Sequence, residues 1–145
     1  MRALLTLLLL ASWGLSAAAA EFRSVDAQAA ILYDAPSAKG KKLYLIKPLT
    51  PVEVLVKLDG WVKVRDAEGT LAWVQARALT EKRMLVVTSP KGEIRQAERP
   101  DAPLVAELDK WVAVELIEPG AAGWAKVRHR DGATGYMRLT QVLGL

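Results

Sequence analysis

Catalysis needs a nucleophile, a tuned acid–base pair or a metal, and this sequence is poor in all three. It has no cysteine and a single histidine, His129. A cysteine nucleophile, a disulfide framework, a thiolate metal site and a multi-histidine metal centre are thereby excluded. His129 stands between Arg128 and Arg130, one residue before the turn dipeptide Asp131-Gly132. Cationic neighbours disfavour its protonated form and a turn exposes it, so it reads as an exposed turn histidine rather than a general base. Paired carboxylates could hydrolyse a sugar polymer. Glu53, Asp59, Asp66 and Glu68 are instead scattered over strand edges and turns, and read as solvated surface. No metal-ligand spacing and no Gly-rich phosphate loop is present. The expectation is therefore no catalytic residue, no metal, no cofactor and no enzyme.

Binding chemistry is better represented. Side chains on a strand alternate between faces, so Trp61, Lys63 and Arg65 share one face, as do Trp124, Lys126 and Arg128. Tyr33, Tyr44 and Trp73 enlarge the first aromatic set. Aromatic faces beside cationic tips suit stacking on sugar rings, proline-rich peptide or an acidic partner. The plainer reading is that Trp61 and Trp124 cap their units while Lys and Arg stems lie over them. Trp73 and Tyr136 precede Val74 and Met137 and read as core or rim residues. Trp111 has no aromatic counterpart in the first half, where Pro51 roughly corresponds, and is a candidate contact between halves. Lys39, Lys41, Lys42 and Lys47 form a basic run, either a contact for anionic polymer or headgroups or a solvated loop.

The elements that must position these residues begin after an address. Arg2 is followed by an apolar run from Ala3 to Leu15, then Ser16 and Ala17-Ala18-Ala19-Ala20 before charged Glu21. That order predicts a secretory signal peptide over residues 1–20. The run is about 13 residues, short of the about 20 that a bilayer-spanning helix needs. Cleavage after Ala20 removes Arg2 alone among the charges, leaving 19 basic against 16 acidic residues, a net of +3 from the full chain's +4. An exported chain, periplasmic or in the cell envelope, is expected, with no stable membrane insertion after cleavage. The export signal, more than the charge, argues against nucleic acid.

The remainder is one unit written twice. Gly60-Trp61-Val62-Lys63-Val64-Arg65-Asp66-Ala67-Glu68-Gly69 lies over Gly123-Trp124-Ala125-Lys126-Val127-Arg128-His129-Arg130-Asp131-Gly132, with six of ten residues identical at an offset of 63. Phe22, Val25 and Leu32 pair with Met84, Val87 and Ile94 at an offset of 62. Val52, Val54 and Val56 are matched to Val112, Val114 and Leu116 at an offset of 60. Two units over 21–80 and 84–145 follow, joined by the charged residues 81–83. A 60-residue unit is marginal alone, so the halves should be packed or held at a fixed angle.

Period-two alternation over Val52–Leu58, turn dipeptides and scattered prolines predict short strands. Many short strands with Gly and Pro turns imply an all-β fold of small barrels or sandwiches. Each unit resembles the bacterial SH3 domain. The signature is Gly60-Trp61-Val62-Lys63-Val64-Arg65, Gly69, Trp73-Val74, and again Gly123-Trp124-Ala125-Lys126-Val127-Arg128, Gly132, Tyr136-Met137, with Leu32-Tyr33-Asp34-Ala35-Pro36 and Ile94-Arg95-Gln96-Ala97 opening the first loops. The resemblance implies two tandem SH3-like β-barrels of about five strands each. It also implies a non-enzymatic binding module of the cell envelope that contacts peptidoglycan or its peptides. The candidate surface is Tyr33, Trp61, Lys63, Arg65 and Trp73, with Arg95, Trp124 and Tyr136 matching it. An adaptor docking another envelope protein is the alternative, and a cell-wall hydrolase a remote one, since catalysis in the family comes from a separate hydrolase domain. The family often has Arg where Tyr33 stands and Pro where Glu98 stands, so the two first loops need not share a ligand.

Overall fold

The computed structural model describes residues 18–145. The signal peptide expected over residues 1–20 therefore falls, but for its last three residues, outside the described residues. The described chain is all-β, with fourteen strands and two single-turn 3-10 helices. The first sheet holds β1 (Glu21–Val25), β2 (Ala30–Tyr33), β3 (Lys42–Ile46), β4 (Pro51–Leu58), β5 (Trp61–Arg65), β6 (Leu71–Gln75) and β7 (Leu79–Thr80). The second holds β8 (Met84–Val87), β9 (Lys91–Arg95), β10 (Leu104–Asp109), β11 (Ala113–Pro119), β12 (Trp124–Arg128), β13 (Thr134–Arg138) and β14 (Val142–Leu143). The strand orders are β3-β2-β6-β5-β4-β1-β7 and β10-β9-β13-β12-β11-β8-β14, which is one topology twice. Each sheet has seven strands where about five were expected, because strands as short as the two-residue β7 and β14 carry no period to read.

Alternation explains each core. Val62, Val64, Ala72 and Val74 point inward with Val25, Leu32 and Val52. Ala125, Val127 and Met137 do so with Leu85, Val87, Ile94 and Val114. The alternation of β4 does not persist. A bulge shifts the register with β5 between Val54 and Val56, so Val52 is buried while Val56 and Leu58 are exposed. An extra residue on one strand turns every later side chain to the other face.

The backbone also corrects the matching of the halves. Val25 accepts a hydrogen bond from the Leu49 amide, and Val87 accepts one from the Trp111 amide. Ser24 pairs with Pro51 and Val86 with Ala113. The offset of 62 therefore continues through β4, so Val52 answers Val114 and not Val112, and Trp111 answers Leu49 and not Pro51. Leu49 (φ 63°) and Trp111 (φ 73°) are the two non-glycine residues with positive φ among the described residues.

The halves meet along a seam. All four residues of β8 are buried, yet only Leu85 and Val87 belong to the second core. Met84 and Val86 face the other way. The Met84 amide donates to the buried Ser24 hydroxyl at 3.1 Å, and a Cβ built on Gly144 would lie 3.2 Å from the Pro51 Cβ. The intervening residues are pinned on both sides: Glu81 pairs with Arg23 and Lys82 with Glu115, while the Arg83 guanidinium donates to the Gly144 carbonyl at 2.6 Å.

Candidate functional site

In the first unit, Tyr33, Trp73 and Lys63 stand in one cross-strand row over β2, β6 and β5, on the face opposite the core. Trp61 lies two residues along β5 from Lys63, opposite Gln75. Its ring meets Tyr33 edge-to-face, with centroids 5.2 Å apart at 89°. That geometry sets the positive ring edge against a negative face. Tyr33 is only 6% exposed, so Trp61 covers it, and Trp61 and Trp73 are themselves half-buried. A depression of about 570 Å³ opens beside Tyr33, lined by the 26–30 loop, Gln75 and Arg77. Neither tryptophan lines it, so the groove expected across Tyr33, Trp61 and Trp73 is divided. Of the candidate cations here, Arg65 is tied to Glu53 at 2.8 Å. Lys63 has no carboxylate partner among the described residues.

The second unit arranges the matching positions differently. Tyr136 pairs with Arg95 and with Lys126, and Trp124 with Arg138. The Arg95 guanidinium gives two hydrogen bonds to Glu93 and a third to the Ala102 carbonyl at 2.8 Å. Its donors thus hold the first loop closed rather than await a ligand. The Arg138 guanidinium lies 5.6 Å from the Trp124 ring centroid, Lys126 pairs with Glu118, and Arg128 with Glu115. Every cation of this surface has a partner inside the unit. The Arg128 hydrogen bond, with Lys82 nearby, holds the Glu115 carboxyl below the usual carboxylate range against its partial burial.

Two side chains read as solvated are not. Asp66 is 9% exposed. It accepts from the Tyr44 hydroxyl at 2.5 Å and from the Glu68 and Thr70 amides at 2.9 and 2.8 Å. It closes the β5–β6 turn and ties β3 to it. Burial, then the Asp66 hydrogen bond, pushes the Tyr44 phenol up to about 12. The His129 side chain is 14% exposed and its Nδ1 lies 2.9 Å from Asp131. The Gly132 amide closes the turn back onto the His129 carbonyl, and the ring lines the hollow between the units. The Ala133 amide, then the His129 ring, hold the Asp131 carboxyl below its ordinary value.

Trp111 lines two hollows that both units form. The lysines of the 39–47 run are exposed. Gln75 and Arg77, bonded side chain to side chain at 2.9 Å, were not singled out in the sequence. Gln75 precedes the 3-10 turn Ala76–Ala78 and Arg77 lies within it, a turn too short to show a period.

Fold and surface together define a class: an all-β protein of two SH3-like sheets carrying an aromatic and cationic outer face. Residues 26–81 match the model of the bacterial SH3 domain, a binding module rather than a catalytic one. A search of curated proteins found no match. Among solved structures the chain is similar to NlpC2 from Trichomonas vaginalis, at 14% identity and a TM-score of 0.40, over 88% of this chain and 49% of that one. It is similar also to an NlpC/P60 family protein from Bacillus cereus ATCC 10987, at 16% identity and a TM-score of 0.39, over 85% of this chain and 56% of that one. The chain spans about half the length of these structures. Among the described residues no helix is long and apolar enough to cross a membrane.

Proposed function

We propose that this protein is an exported, non-enzymatic binding module of the cell envelope that holds peptidoglycan or its peptides on the outer face of its first unit. Export rests on the order of charge, apolar run and small residues over 1–20, and the wall ligand on the bacterial SH3 match. The observation that carries the assignment is the hollow beside Tyr33, whose ring Trp61 meets edge-to-face and whose cross-strand row continues through Trp73 to the unpartnered Lys63. Its lining mixes the Tyr33 ring and small alanines with the polar side chains of Asp26, Gln28, Gln75 and Arg77, and convergent polar groups in a concavity fix a ligand's orientation. Arg77 and Gln75 supply donors at its rim. The second unit serves as support, since Arg95 and the Trp124 face are closed by internal partners.

Co-sedimentation with purified wall sacculi tests this. The full chain is expected to be retained, with retention at least tenfold weaker for Trp61→Ala and for Lys63→Glu. No retention of the unaltered protein would sink the wall reading and favour a protein partner in the envelope. Release of soluble muropeptides would overturn the non-enzymatic part.

A further inference from the structure

The hollow between the units, about 660 Å³, belongs to neither aromatic face described above. Its walls include Lys47, Pro48 and Leu49 from the first unit and Met84, Trp111 and Arg130 from the second. Three observations converge on it. Leu49 and Trp111 both hold positive φ, at 63° and 73°, in the second central position of corresponding turns. A left-handed L-residue costs about 1–2 kcal/mol where glycine would sit freely. At both positions a large apolar side chain is nonetheless delivered into the same hollow. Next, Trp111 is 44% exposed, with the Lys110 ammonium 4.6 Å from its ring centroid. Finally, the charges do not cancel. The carboxylates lining the hollow are held by neighbours: Glu115 by Lys82 and Arg128, Glu107 and Asp109 by Lys91. Lys47, Lys110 and Arg130 have no carboxylate partner among the described residues.

We infer that this hollow is a second binding site, taking a carboxylate-bearing peptide whose apolar side chain packs on Trp111, Pro48 and Leu49 while its carboxylates meet Lys47 and Arg130. Peptide is favoured over sugar by the lining itself. Its two charges without a carboxylate partner among the described residues, Lys47 and Arg130, are both cationic, and carboxylates answer them where neutral sugar hydroxyls do not. Both units build the site, which therefore exists only while the seam is closed.

The inference stands apart from the Tyr33 face and is tested apart from it. Two probes distinguish the sources of such a peptide: a soluble wall stem peptide with free carboxylates, and a linear acidic peptide of L-residues, Ac-Glu-Glu-Leu-Glu-amide. Each is titrated into the full chain by isothermal calorimetry, with a glutamine-substituted control. One of them is expected to bind at submillimolar Kd and its control at least tenfold more weakly. Trp111→Gly removes the ring and the backbone strain together. It should keep or raise the unfolding midpoint while weakening the peptide at least tenfold, and Lys47→Glu with Arg130→Glu should weaken it as much. Trp61→Ala should leave the linear acidic peptide's binding untouched, which separates this site from the sacculus-binding face. The inference is overturned if neither probe binds at millimolar concentration, or if Trp111→Gly binds as the unaltered chain does.

Discussion

At the scale of single residues, Asp66 shows how a surface-type side chain becomes structural. Three donors converge on its carboxylate, two of them amides of the turn that it closes. Removing it leaves those donors short of partners in a half-buried place, which costs about 1–3 kcal/mol. Asp66→Ala should lower stability by about 2 kcal/mol in urea unfolding, and Glu68→Ala, two positions further along the turn and exposed, by less than about 0.5 kcal/mol. Equal losses would mean that the turn is held otherwise. The same contact governs the alkaline limb. The Tyr44 phenol is raised to about 12 from an ordinary 10, so the folded chain keeps a proton that the unfolded chain gives up. Stability from this group is whole below pH 10 and is lost as pH rises toward 12. Absorbance titration of phenolate should show one tyrosine ionising near 12, and Tyr44→Phe should abolish that step. Neither residue was legible in the sequence as a pair. They lie 22 positions apart, on β3 and just past β5, three places apart in the sheet order, and meet only because the sheet curls. His129 misled for a related reason: its neighbours in sequence are charged, while its neighbour in space is the seam.

At the scale of elements, the two sheets solve one packing problem with different residues. Ala30, Val62 and Val74 in the first core correspond to Gly92, Ala125 and Met137 in the second. A Cβ on Gly92 would come within 2.8 Å of the Met137 methyl carbon and 3.0 Å of Val87. The long methionine takes the space that the alanine methyl and the valines fill in the other half. Gly92→Ala should therefore destabilise by about 1–3 kcal/mol through overpacking, and Met137→Val by about 1 kcal/mol through the void it leaves. Together they should be milder than their sum by at least about 1 kcal/mol, the mark of a shared space. An additive double variant would show that the compensation is not real. The element pattern itself was readable. Gly60-Trp61-Val62-Lys63-Val64-Arg65 and its copy announce a strand with one apolar and one decorated face, and β5 and β12 follow that pattern. The bulge in β4 was not readable, because a run of alternating valines looks the same with or without an inserted residue. The offset of 60 came from that run, and it hid the equivalence of Leu49 with Trp111. Half of the Tyr33 face was visible as aromatic residues at period-two spacing. The closing of the Arg95 side was not, since Glu93 and the Ala102 carbonyl reach the guanidinium only through the folded loop.

At the scale of the whole molecule, the seam decides whether there are two modules or one. Met84 and Val86 are buried with no place in the second core, and Ser24 is a buried hydroxyl whose oxygen receives an amide from the other half. Apolar side chains on an outer face are stabilising only while something covers them, at about 25 cal/mol for each Å² kept from water. Each half is near the size at which a lone core is marginal, so loss of the seam should be felt throughout the chain. The two halves should unfold in a single transition, with tryptophan fluorescence and far-ultraviolet circular dichroism coincident. Met84→Glu places a carboxylate against the Ser24 strand, and it should split or broaden that transition and lower its midpoint. Val105→Glu, an exposed control on β10, should do neither. If the unaltered chain already unfolds in two separate steps, the halves are beads on a pinned string. A hollow built by both of them would then have no fixed walls with which to select a ligand.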